Sequence, residues 1–135
     1  MSREIINPEE LYDSVQYGFS HAIKSSTKST VHCSGQVAWD KDCNVVGAGD
    51  VGIQARQALA NLKVVLAAAG VGVADIIRLR TYVVNHNPSL MEPVGKALAE
   101  FYGEETPAAN TWIGVQALAL PDFLIEIEAT AEIPD

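Results

Sequence analysis

The chain has 135 residues, 48% of them hydrophobic and 19% charged, the usual size for one domain over residues 1–135 that buries its own core. Its formal charge is -8 and its pI about 4.7, and it has no Lys/Arg cluster, so it lacks the stripe that neutralises phosphates and no nucleic-acid partner is expected. No apolar run approaches the roughly 20 residues of a membrane helix, and Met1-Ser2-Arg3-Glu4 lacks a signal peptide's apolar core, so a cytoplasmic protein without a membrane partner is expected.

Residues 16–37 read as two strands about the polar turn Ser25-Ser26-Thr27-Lys28-Ser29-Thr30: Tyr17, Phe19 and His21 alternate with Gly18, Ser20 and Ala22, and Thr30-Val31-His32-Cys33 follows. A hairpin is therefore expected here. Asp50 is placed to cap a helix carrying Ala55, Ala58, Leu59, Leu62, Val65, Leu66 and Ala69 on one face, with Gly70 ending it. Residues 75–84 are rich in β-formers, and Asn85-His86-Asn87-Pro88 breaks that strand. A second helix is expected over 89–102, burying Leu90, Val94, Ala97, Leu98 and Phe101, with Pro93 tolerated in its first turn. Strands over 110–115 and 124–133 complete an α+β layer with two helices on one sheet face. The other face is left to find a partner, so self-association is expected.

Several motifs are weaker than they look. Gly47-Ala48-Gly49-Asp50-Val51-Gly52 matches the dinucleotide-binding glycine pattern, but no buried parallel strand precedes it and Asp50 would stand where a pyrophosphate binds. An ordinary loop into a helix is expected, and no cofactor. His21, His32, His86, Cys33 and Cys43 lack ligand-pair spacing, and the neighbours His32 and Cys33 point to opposite faces of a strand, so no metal site is expected. The two cysteines are expected as free thiols. Ser20 and Ser34 lack a nucleophile elbow.

From residue 97 onward there are eight acids and no Lys or Arg, so the whole net charge resides in this segment. Within it, Glu126 and Glu128 share one face of a strand whose other face carries Ile125 and Ile127. Covered by another subunit, such a carboxylate is desolvated and its pKa rises, which suits acid–base work. Arg78 and Arg80 likewise share one face of the central strand, as a solvated pair or as the missing counter-charge.

Five segments taken together resemble one family: Phe19-Ser20-His21-Ala22, Ser34-Gly35-Gln36-Val37, the run from Gln54-Ala55-Arg56 to Ala60-Asn61-Leu62, Ala67-Ala68-Ala69-Gly70, and Glu126-Ile127-Glu128-Ala129. In order and spacing the chain resembles the Rid (YjgF-type) proteins from about Tyr17 to Ile133. The resemblance implies a chorismate-mutase-like subunit in a homotrimer, its three sheets facing inward as a barrel with clefts between neighbours. Active members hydrolyse enamines and imines to 2-oxo acids and ammonia. A Pro-x-Arg arginine clamps the substrate carboxylate, the first glutamate of Glu-Ile-Glu-Ala orients water, a first-strand tyrosine lines the cleft, and the Ser-Gly segment adds backbone contacts.

Carried over, Glu126 matches the glutamate, Gly35 the glycine and Phe19 the tyrosine, while Trp112 stands where many members have a small residue or cysteine. The arginine's position falls on Asn110, or on Ala109 in the other register, so the cation is absent. Losing a buried charge partner costs about 2–5 kcal/mol of binding, roughly 30-fold or more, which argues against ordinary 2-imino acids. The expected ligand is a planar or aromatic neutral imine or enamine, oriented by Asn110 and stacked near Trp112. Arg80 or Arg78 is the candidate to enter the cleft as a substitute cation. A non-catalytic metabolite-binding trimer is the competing reading, and endoribonuclease activity is disfavoured by the acidic charge.

Overall fold

A computed structural model describes residues 3–27 and 29–134; Met1, Ser2, Asp135 and Lys28 of the expected Ser/Thr turn lie outside the described residues. The first long helix, α1 (Val51–Ala68), begins where expected because the Asp50 carboxylate accepts from the Ile53 N–H at 3.0 Å. Its buried face comprises Ala55, Ala58, Leu59, Leu62 and Leu66. At its end Gly70 turns left-handed at φ 79°, and the N–H groups of Gly70 and Val71 bond back to Ala67 and Leu66, a Schellman closure. The expected helix over 89–102 starts as a 3-10 turn (Pro88–Leu90), to whose Ser89 N–H Asn87 supplies an acceptor, and continues as α2 (Met91–Tyr102).

Four strands form the main sheet: β3 (Thr30–Gln36), β4 (Ile76–Val84), β5 (Ala109–Val115) and β6 (Ile125–Glu132), in the order β3-β6-β4-β5. The sheet is mixed, because β4 and β5 are joined through α2 and run parallel while the other pairs are antiparallel. Both helices pack on one face, where Leu79, Val83, Ile125, Ile127, Ala129 and Ala131 meet Leu59, Leu62, Leu66 and Leu98 in one core.

The expected hairpin over 16–37 does not form. Its two strands exist, but β2 (Ala22–Ser25) pairs with β1 (Arg3–Ile6) in a separate antiparallel ribbon, and β3 pairs with β6. The alternation of Tyr17 and Phe19 is no strand pleat: Val15–Tyr17 is a 3-10 turn that Gly18 ends at φ 89°. Beyond it, Ser20 bonds through its N–H to Ala108 O at 2.9 Å and through its hydroxyl to Pro107 O at 2.5 Å. The Asn7 side chain accepts from the His21 N–H, doing the work of a strand partner. The rejected glycine motif is an ordinary loop, with Gly47 and Gly49 at positive φ and Asp50 used as a cap.

Two amides on α1 tie the loops to the sheet. Gln54 is fully buried; its Nε2 donates to Gly47 O and Asp122 O, and its Oε1 accepts from the Leu124 N–H at 2.9 Å. Asn61 Nδ2 donates to Val37 O and Trp39 O, both at 2.9 Å. Replacing Gln54 by Leu strands three backbone groups from two loops, so Gln54→Leu is expected to lower stability by about 2–4 kcal/mol in urea unfolding. A change of under about 0.5 kcal/mol would show that these loops hold without the clamp.

Candidate active site

Strand β6 separates its side chains cleanly. Ile125 and Ile127 are fully buried against the helices, and Glu126 and Glu128 stand half-buried on the opposite, open face. The register sets Tyr82 opposite Glu126 and Arg80 opposite Glu128, so Arg78, Arg80 and Tyr82 share that face. Glu126 lies against Gly35 in a bulge of β3: a Cβ added there would fall 2.7 Å from both Cγ and Cδ of the glutamate. Gly35 therefore makes room for this carboxylate. Glu128 accepts from the Tyr82 hydroxyl at 2.5 Å and has Arg80 Nη1 at 4.0 Å. That bond and the negative charge hold the Tyr82 phenol above its ordinary pKa.

At the β5 edge a second group of expected residues gathers. Asn110 and Trp112 are paired with Leu79 and Thr81 and turn toward the helix side, while Thr111 is exposed on the other. Thr81, fully buried, donates its hydroxyl to Asn110 Oδ1 at 3.2 Å. Trp112 Nε1 donates to His86 Nδ1 at 3.4 Å, which leaves the proton of neutral His86 on Nε2. Gly114 lets that histidine approach, since a Cβ there would sit 3.0 Å from the His86 Cβ.

Phe19, Asn110 and Trp112 line a cavity of about 490 Å³ walled also by Tyr12, Tyr17 and His86, with Tyr12 set edge-on to Tyr17 and Phe19. A hollow of about 420 Å³ adjoins it, sharing Phe19, Asn110 and Thr111 and adding Arg78. A larger hollow of about 580 Å³ touches only Trp112 of the expected residues and is bordered by Glu92, Glu104 and Glu105.

The expected residues thus fall into two groups. Gly35 and Glu126 meet on the open face, whereas Phe19, Asn110 and Trp112 meet at the β5 edge. In the order β3-β6-β4-β5, Asn110 lies two strands across and three residues along from Glu126, roughly 14 Å, and its side chain leaves the opposite face. One protomer does not bring them together. Arg80 belongs with Glu128 and lines neither cavity at the β5 edge; Arg78 lines one. His86 and Tyr12 escape a pattern reading because they arrive from loops, and only the Gly114 vacancy opposite a loop histidine hints at the pairing.

Residues 13–133 match the family described as Endoribonuclease L-PSP. A RutC family protein of Pyrococcus horikoshii is 35% identical over 114 residues, covering 84% of this chain and 85% of that protein. A 2-iminobutanoate/2-iminopropanoate deaminase of Salmonella typhimurium is 36% identical over 104 residues, covering 76% and 79%. In fold, the chain matches the crystal structure of YyfB, a Rid-family protein of unknown function from Yersinia pestis, with a TM-score of 0.96 and 53% identity over 98% of this chain and 100% of that one.

The Tyr82–Glu128 contact is open to a direct check. Tyrosinate absorbance followed against pH should show one phenol ionising at lower pH in Glu128→Gln than in the unmodified protein, because the carboxylate that disfavours phenolate is gone. Tyr102, pushed up to about 12 by burial, should not move. Coincident titration curves for the two proteins would deny the contact.

Proposed function

This chain belongs to the Endoribonuclease L-PSP family, with RutC and Rid proteins among its relatives, and on that footing we propose that it is a homotrimeric imine or enamine hydrolase with altered substrate choice. The observation that carries the reading is the Glu126 carboxylate, held on the open sheet face against a glycine that makes room for it. A neighbouring subunit covering that face would bring its own Phe19, Asn110 and Trp112 to the carboxylate. The split of the expected residues over two faces supports a cleft shared between subunits. A relative 36% identical is a deaminase of 2-iminobutanoate and 2-iminopropanoate, which supports this reaction class.

In this reading Glu126 orients a water against the C=N carbon. The water oxygen bonds to carbon as the C=N π pair moves to nitrogen, and Glu126 relays the proton lost by the water to that nitrogen. In the carbinolamine the hydroxyl proton passes to the nitrogen, again by way of Glu126; the C–N bond then breaks with its electron pair going to the nitrogen, which leaves as ammonia, and the oxygen becomes the carbonyl. Asn110 supplies a neutral donor: its Oδ1 is taken by Thr81, so its Nδ2 hydrogens are the ones free for a ligand acceptor. The aromatic walls around Trp112 suit a planar, apolar substrate body.

The competing reading, a trimer that binds a metabolite without turning it over, is favoured by one fact: β5 carries no cation to clamp a small imino acid. Endoribonuclease activity, despite the family's description, fits poorly with a chain of net charge -8.

Imines generated in situ by an amino-acid oxidase provide the assay, read as faster 2-oxo acid formation. Glu126→Gln is expected to lower the rate about 100-fold or more while light scattering still gives three times the 14.4 kDa chain mass. An undiminished rate in that variant would remove Glu126 from the chemistry, and no rate above background in the unmodified protein would leave the binding reading. Mixing Glu126→Gln chains with Asn110→Ala chains, each impaired alone, should restore part of the activity after subunit exchange. A site within one protomer would give no recovery.

A further inference from the structure

Of the four arginines, three are committed to partners. Arg3 is buried and donates to the carbonyls of Ala74 and Thr106, Arg56 is 2.9 Å from Glu100, and Arg80 is 4.0 Å from Glu128. Among the described residues Arg78 has neither a hydrogen bond nor an ion pair. The parallel register of β4 and β5 sets it opposite Ala109, one residue before Asn110, and it lines the 420 Å³ hollow together with Phe19, His21 and Asn110. Among the described residues no carboxylate lines that hollow, in a chain whose formal charge is -8. Arg78 also borders a hollow of about 290 Å³ with His32, Arg80 and Glu128, but an anion there would face the Glu128 carboxylate.

We propose that Arg78 is the anion-recognising residue of this cleft, moved one strand inward from the position where Asn110 stands, and that the ligand is a flat aromatic molecule bearing one carboxylate. The aromatic body occupies the cavity of Tyr12, Tyr17, Phe19 and Trp112, and the carboxylate reaches Arg78 across the shared wall of Phe19, Asn110 and Thr111. A guanidinium without a partner keeps its paired N–H donors free for a bidentate contact. This amends the expectation of a neutral ligand: β5 has lost its cation, but the cleft has not. The inference rests on the Asn110 cleft being the ligand site and not on turnover there.

Calorimetric titration of the full chain with phenylpyruvate and with uncharged phenylacetamide tests it. Arg78→Gln should weaken phenylpyruvate binding about tenfold or more and leave phenylacetamide unchanged; Arg78→Lys, keeping charge without the fork, should lose less. Trp112→Ala should weaken both compounds, and Arg56→Gln, a surface charge control on α1, neither. No phenylpyruvate binding at millimolar concentration, equal affinity in Arg78→Gln, or an equal or larger loss in Arg80→Gln would overturn the assignment. Arg78-dependent binding without ammonia release would sink the hydrolase reading and leave this one standing; Glu126-dependent turnover indifferent to Arg78 would do the reverse.

Discussion

The register of β6 is the constraint on which the rest of the molecule depends. This strand is paired on both sides, with β3 and with β4, and every second residue from Ile125 to Ala131 is buried under the helices. A slip of one residue would drive Glu126 and Glu128 into that core and expose the two isoleucines. What pins the entry to the strand is a fully buried amide, since Gln54 accepts from the Leu124 N–H and donates to Asp122 O two residues earlier. A buried amide with all its partners in place specifies one geometry, because any shift leaves a polar group unpaired in an apolar setting. The position of the Glu126 carboxylate is thus set by a glutamine on the far side of the sheet.

From that register follows the division of the candidate site. Alternation along β6 sends Glu126 to the open face, and pairing along β5 sends Asn110 and Trp112 to the helix side, where Thr81 and His86 hold them. Within one protomer the two groups are kept apart by two strands and the thickness of the sheet. The open face is also unsuited to standing alone in a purely apolar contact, since Arg78, Arg80, Tyr82, Glu126 and Glu128 all project from it. A partner covering it must leave space for these polar groups, which is what a cleft does.

How much of this was legible beforehand depended on whether the signal was local. The helix α1 was readable because its cap, apolar stripe and terminal glycine lie within one segment, and the β6 alternation was readable for the same reason. Gly35 stood out only through the family resemblance; its physical reason, the approach of Glu126, joins two strands far apart in sequence. The pairing of β2 was misread because a run of alternating aromatics before a polar turn imitates a hairpin, while the actual partner, Arg3–Ile6, is four residues long and carries no pattern of its own. Strand parity placed Arg78 and Arg80 on one face. It could not separate them, because what distinguishes them is a carboxylate on β6 opposite Arg80 and a threonine opposite Arg78.

The placement of Asn110 also has a local logic. Asn110 Oδ1 sits on the hydroxyl of Thr81, a residue with no exposure to solvent. The amide oxygen accepts that hydroxyl's proton, which a side chain carrying donors alone could not do. The asparagine satisfies the buried hydroxyl through its oxygen and keeps its amide donor pair free. Trp112 stands on the same face, anchored through its indole N–H by a histidine that Gly114 admits. Asn110 and Trp112 are therefore both held by neighbours, on β4 and on the loop after it, and these contacts fix their side chains at the β5 edge.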